Sequence, residues 1–193
     1  MLTIADRVMK IRKPKPKYPI LRELSERFSP RHYANKQIPI ADIHSILEAA
    51  RWVPSGRNAQ PWYFYWTQNG SFAFDALIAT LPDFNTWAKT ASVLVVACCI
   101  EKNERGHNEF ALYDLGAAVL ALVLQGQHLG YYARQMGIFN KGKVKQIVKA
   151  KDQEEPFVII ALGRLGNYAK ASEDIIQRDM TSTPRKTDFA KKI

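Results

Sequence analysis

The amino-acid sequence predicts a single domain of the α+β class, a sandwich of helices and sheet, and three observations carry that reading. Apolar residues recur at helical spacing in several stretches. Two other stretches are apolar without alternation, the pattern of strands covered on both faces. The order of these elements does not repeat as a clean series of βαβ units. With 193 residues and 47% hydrophobic content the chain can bury a substantial core, and no internal repeat or linker divides it.

The first ten residues lack the apolar stretch of a secretory signal, and no run reaches the roughly 18 apolar residues that a membrane span requires. Residues 1–17 are expected to form a basic arm, centred on Lys10-Ile11-Arg12-Lys13-Pro14-Lys15-Pro16-Lys17, ahead of a domain over residues 18–193. The arm reads either as a solvated segment crossing a surface or, through its share of the +10 net charge, as a binder of nucleic acid or an anionic membrane. No RNA-binding aromatic signature, helix-turn-helix pattern or zinc spacing accompanies it.

Ile20, Leu21, Leu24 and Phe28 share a helical face, so a short helix is predicted over Tyr18 to Glu26. A second helix follows Pro39, with Ile40, Ile43, Ile46, Leu47 and Ala50 on one face, and Pro54 stops it. The aromatic run Trp62 to Thr67 suits a strand, and Gln68-Asn69-Gly70 a turn. Phe74, Leu77, Ile78 and Leu81 mark the next helix. Ser92 to Ile100 is a buried strand in which Cys98 and Cys99 serve as small core residues, as suits a reducing, cytoplasmic setting. Glu109 to Leu129 is one long helix, apolar on nearly every side and therefore expected against a partner subunit as well as its own core, with Gly130 as its stop. A short helix around Val144, Ile147 and Val148 precedes a buried strand over Phe157 to Leu162. The tail from Arg164 onward is polar and without periodicity.

Three segments carry residues suited to chemistry. In Arg27-Phe28-Ser29-Pro30-Arg31, two guanidinium groups flank a hydroxyl, a set that suits a phosphate or a ring carbonyl, or else two solvated arginines at a helix end. Val53 to Trp62 combines Pro54, Gly56 and Pro61 with the neutral donors Ser55, Asn58 and Gln60, and reads as the lining of a flat heterocycle or as a rigid turn. In Leu129 to Asn140, Gly137 lets backbone approach a ligand. No Gly-x-Gly-x-x-Gly or Walker motif is present, the four histidines show no metal-ligand spacing, and Ser55 lacks partners for a nucleophile.

Together these segments resemble the FMN-dependent nitroreductase family. The likeness rests on Arg27-Phe28-Ser29-Pro30-Arg31, on Glu48 to Ser55, and on Asn58-Ala59-Gln60-Pro61-Trp62, with Asn85 to Ala88, Tyr113 to Gly116 and Arg134 to Gly137 in the corresponding order; it covers roughly Pro19 to Gly163. The resemblance implies an α/β/α sandwich with a mixed central sheet, an intertwined homodimer with the long helix at its interface, and FMN bound between the subunits. It places Arg27, Phe28 and Ser29 at the phosphate and ribityl chain, and Arg31 at the N1 and C2 edge of the ring. Pro54, Ser55, Gly56 and Asn58 would line the ring from the neighbouring subunit, and Asn85 would bond the flavin or its ribityl chain. Met136, Gly137 and Ile138 would present backbone near N5. Arg185 and Lys186, in Pro184-Arg185-Lys186, match a phosphate-binding position in the family's tail.

The implied activity is hydride transfer from NADH or NADPH through flavin N5 to a small electron-poor acceptor such as a nitroaromatic, quinone or conjugated carbonyl. It calls for no metal and no essential protein acid or base. Arg57 adds a cation that would favour anionic acceptors. Gly163-Arg164-Leu165-Gly166 departs from the family's usual glycine-tyrosine-proline exit. Two other readings stand beside this one: a flavin-binding scaffold without turnover, and a binder of anionic surfaces or nucleic acid acting through the basic arm.

Overall fold

The computed structural model describes residues 2–104 and 106–192. In chain order the strands are β1 (Trp62–Gln68), β2 (Val93–Cys99), β3 (Lys102–Asn103), β4 (Gly106–His107), β5 (Tyr132–Met136) and β6 (Glu155–Gly163). The helices are α1 (Ile4–Arg12), α2 (Arg22–Glu26), α3 (Ile40–Arg51), α4 (Phe72–Ile78), α5 (Ala111–His128), α6 (Lys141–Val148) and α7 (Glu173–Met180). The central sheet has the order β1-β2-β6-β5, while β3 and β4 pair as a separate small hairpin.

Why β2 reads as an unbroken apolar run is plain from its neighbours. Val93, Val95, Ala97 and Cys99 face a core shared with α3 and α5, while Leu94, Val96 and Cys98 face a second core shared with α4 and α6. β6 divides in the same way, with Val158, Ile160 and Leu162 on the first side and Ile159 and Ala161 on the second. Side chains alternate across a strand, so a strand with both faces covered needs apolar residues at every position. The sheet is antiparallel at every pairing, where a mixed sheet is the expectation. The apolar runs record coverage by helices on two sides, and that coverage does not fix strand direction. Cys98 and Cys99 point to opposite cores, and burial raises their thiols to about 12 and about 11 respectively, so both stay protonated.

Four elements differ from expectation. α2 covers only Arg22–Glu26, because Pro19 keeps Tyr18 out of helical geometry and the segment buries no side chain. The basic arm begins inside α1: Thr3 and Asp6 cap each other reciprocally, and Val8 is fully buried. The polar tail contains α7, capped by Ser172. β5 lies within the stretch read as a ligand loop. Helices α1 and α7 share a third core with Phe28 and Tyr168, separate from the two that sandwich the sheet. The long helix ends at Gly130, whose φ of 80° is open to glycine at little cost. One flank of α5 is not buried in the single chain: Leu112, Leu120 and Tyr113 are exposed, Tyr113 by 80%, next to exposed Phe110.

Candidate functional site

Four arginines from four distant segments converge on one cavity of about 260 Å³. Arg12 ends α1, Arg27 follows α2, Arg134 lies in β5 and Arg185 comes from the tail; Phe28 and Ser29 are also in the wall, and among the described residues no carboxylate lines it. Arg134 Nη1 donates to the Ser29 carbonyl at 2.6 Å while its guanidinium lies 5.5 Å from the Trp87 ring centre. Arg134 therefore braces the backbone that carries Ser29. Arg27 Nη1 reaches Ser29 Oγ at 3.5 Å, the limit of a hydrogen bond. Phe28 is buried and packs on Tyr132 with ring centres 5.0 Å apart, which locks the segment between the two polar side chains.

The electrostatics are those of an anion site. Burial lowers the Arg27 pKa, and the charges of Arg185 and Arg12 push it the same way. Burial, reinforced by Arg31, brings Arg134 down to about 10. Among the described residues none of the four pocket arginines makes a salt bridge. The buried Nε atoms of Arg12 and of neighbouring Arg31 have no partner among the described residues. Cations desolvated together without a counter-charge are costly, and an anion of matching geometry relieves that cost.

Arg31, expected at the N1 and C2 edge of the ring, is paired with Asp179 of α7. Its Nη1 lies 2.7 Å from Asp179 Oδ1 and its backbone N–H donates to Oδ2 at 2.7 Å. Asp179 is fully buried, and the Tyr168 hydroxyl also donates to it. Arg31 thereby ties the strap after Ser29 to α7. That strap continues along the unusual Gly163-Arg164-Leu165-Gly166 exit, where Tyr33 bridges Leu165 and the Gly166 N–H donates to the His32 carbonyl. A Cβ on Gly166 would lie 2.4 Å from the His32 ring and 2.9 Å from Tyr33 backbone, so this exit needs glycine for close approach.

The loop after α3 is built by strain and one buried carboxylate. Asp114, in the first turn of α5, accepts the Gly56 N–H at 3.1 Å. Ser55 Oγ accepts the Gln60 N–H at 2.9 Å. Arg57, Asn58 and Gln60 all have positive φ, at 53°, 55° and 46°, which few residues adopt unless the surroundings impose it. Pro54, Gly56 and Asn58 are exposed, and Ser55 is partly so. Gly56, Arg57 and Asn58 border an open cavity of about 950 Å³ with Lys102, His107 and Phe110. This cavity shares no lining residue with the arginine pocket.

The remaining expected site residues are scattered. Asn85 is buried, with its Oδ1 accepting the Trp87 indole N–H at 3.2 Å, and it does not line the arginine pocket. The Met136 side chain is in the second core and not free to touch a ligand. Gly137 and Ile138 are exposed just beyond β5, and a Cβ at Gly137 would meet nothing within 4 Å. Lys186 is exposed and does not line the arginine pocket, unlike Arg185. Sequence reasoning missed Arg12 and Arg134. Arg134 stood beside the singled-out Gly137, but only the fold shows that it faces Arg27.

The domain is a two-sided α+β sandwich with a basic pocket at one edge, and comparison with known proteins makes its class specific. The nitroreductase family pattern matches residues 24–84 and 81–164. The chain belongs to the nitroreductase family. An uncharacterised 15.4 kDa protein of Mycolicibacterium smegmatis is 34% identical over 122 residues, spanning 61% of this chain and 81% of that one. A protein of Archaeoglobus fulgidus named "Putative NADH dehydrogenase/NAD(P)H nitroreductase" is 26% identical over 165 residues, covering 85% of this chain and 93% of the relative. Among solved structures, one described as an oxidoreductase containing FMN superposes with a TM-score of 0.84 at 28% identity, over 91% of this chain and 92% of that one. α1 and α7 both lie outside the residues matched to the family.

Proposed function

We propose that the protein is an FMN-dependent oxidoreductase that takes reducing equivalents from NADH or NADPH and passes them to a small electron-poor acceptor. The observation that carries this reading is the arginine pocket, whose four guanidinium groups and the orphaned buried Nε of Arg12 fit a phosphate monoester dianion. Family membership, the FMN of the structural neighbour and the name of the archaeal relative support the rest. Arg27, Ser29 and Arg185 would hold the phosphate, with Arg134 bracing Ser29. The exposed backbone at Gly137 and Ile138 would lie along the ring. A bound flavin supplies two-electron transfer between a nicotinamide and an acceptor.

A homodimer completes the site in this reading. Gly56 and Asn58 border a different cavity from the arginine pocket, and Pro54 and Ser55 do not line that pocket either, so the loop of a second copy would cover the ring. The exposed apolar flank of α5, formed by Phe110, Leu112, Tyr113 and Leu120, offers a surface for that copy. Nitroaromatics, quinones and conjugated carbonyls are the acceptor classes, and Arg57 would bias the choice toward anionic ones only where Glu104 and Glu109 of the same cavity do not offset it.

An absorption spectrum of the purified protein, followed by anaerobic titration with NADH and NADPH, tests the proposal. Flavin bands that bleach on titration are expected. A colourless protein that gains no bound flavin when FMN is added would overturn it, and a yellow protein that neither nucleotide reduces would leave a scaffold in its place.

A further inference from the structure

Resting on the flavin-nucleotide reading above, we propose that α1 is a clasp on the cofactor's phosphate: Arg12, its last residue, is an additional ligand of the anion, and docking of the helix sets how tightly flavin nucleotide is held.

The helix is placed to do this. Val8, Ile4, Ala5 and Met9 pack into the third core against α7 and against Phe28, the residue between Arg27 and Ser29. α1 is thus seated on the back of the segment that would hold the phosphate. The capping box at Thr3 and Asp6 fixes the start of the helix, and Lys13 turns the chain out of helical geometry immediately after Arg12. Arg12 Nη1 is anchored by the Thr181 carbonyl at 2.9 Å, and the guanidinium lines the pocket with Arg27, Arg134 and Arg185.

Arg12 is not explained by the protein alone. It makes no salt bridge among the described residues, and its Nε is buried with no partner. Burial lowers its pKa and nearby Arg31 and Arg185 push the same way, with Asp179 opposing. Asp179 offsets the neighbouring cations without bonding Arg12, so the guanidinium keeps hydrogen-bonding capacity for an anion in the pocket. A phosphate has enough acceptor oxygens to take a bond from each guanidinium. The basic arm then has a partner in the bound cofactor, and no external anionic surface is needed to account for its arginine.

The test compares FMN with riboflavin, which has the ring and ribityl chain but no phosphate, by flavin fluorescence quenching on the full chain. Arg12→Gln is expected to weaken FMN binding by about tenfold or more while riboflavin binding is unchanged. Arg12→Lys should restore part of the loss. Val8→Asp, which undocks the helix but keeps Arg12, should reproduce the FMN-selective loss. If Arg12→Gln leaves the preference for FMN intact while Arg27→Gln abolishes it, the clasp is wrong and the functional reading stands. If Arg12→Gln weakens both ligands alike, Arg12 is only structural and the clasp is again wrong. If the wild-type protein binds FMN no better than riboflavin, the phosphate site itself is overturned and the clasp with it.

Discussion

The arginine pocket and the Pro54–Gln60 loop are opposite solutions to holding a ligand. The pocket draws its four arginines from four segments of one chain and is backed by the buried Phe28, with charge in surplus. The loop is continuous in sequence, mostly exposed, neutral apart from Arg57, and shaped by three positive-φ residues and the grip of Asp114 on Gly56. A charge site gains from low dielectric and must be built from the interior outward. A surface against a flat ring needs shape, and local backbone geometry can supply shape. In the proposed dimer, one region would be complete in a single chain while the other would need a second.

That contrast can be broken in several places. The largest effect is expected from Tyr113→Asp with Leu120→Asp, which puts charge on the apolar flank of α5. Light scattering should report a monomer that no longer retains FMN on gel filtration, yet still prefers FMN to riboflavin at high ligand concentration. A variant that remains dimeric with full FMN content would show that this flank is not the interface. Next, Arg27→Gln should weaken FMN by about 10–150-fold, the worth of one charge-assisted hydrogen bond, and leave riboflavin unchanged. Equal losses for both ligands would remove Arg27 from the phosphate.

Gly166→Ala should destabilise the protein by about 1–3 kcal/mol in urea unfolding, because the added Cβ meets Tyr33 backbone that cannot easily move. Asp114→Ala should cost about 1 kcal/mol, since the freed Gly56 N–H is near enough to the surface to find water. Its signature should be altered acceptor kinetics with an unaltered preference for FMN over riboflavin. The smallest effect is that of pH. A phosphate monoester gives up its second proton near pH 6, so FMN affinity should fall severalfold from about pH 7 to about pH 5 as the dianion is lost. Riboflavin affinity should not follow.

Much of this fold is legible in the sequence because burial on two sides leaves a continuous trace. β2, β6 and α5 declare themselves through apolar residues at nearly every position. α7 is harder to see, since Ile175, Ile176 and Met180 stand among charges; its signal is the cap Ser172 followed by Glu173 and Asp174. α1 likewise carries a readable capping box at Thr3 and Asp6, beneath a basic run that draws attention to charge. β5 hides because Arg134 and Gln135 interrupt its apolar residues. For the site, Arg27, Ser29 and Arg185 follow from motif resemblance. The position of Arg31 depends on Asp179, 148 residues away, and no local pattern encodes that pairing. Arg12 and Arg134 are invisible for the same reason: each meets Arg27 only after the chain has closed.

The third core has a consequence for how the molecule opens. α1, α7, Phe28 and Tyr168 bury one another with little help from the sheet, so they form the unit that can unfold locally while β2 and β6 stay protected. When this unit opens, Arg12 and the Asp179 partner of Arg31 leave together. A ligand in the arginine pocket opposes that opening by RT ln(1 + [L]/Kd). Amide hydrogens of α1 and α7 should therefore exchange first in the free protein and slow most on FMN binding. Occupancy of the arginine pocket would then be recorded in the breathing of two helices that lie outside the family-matched residues.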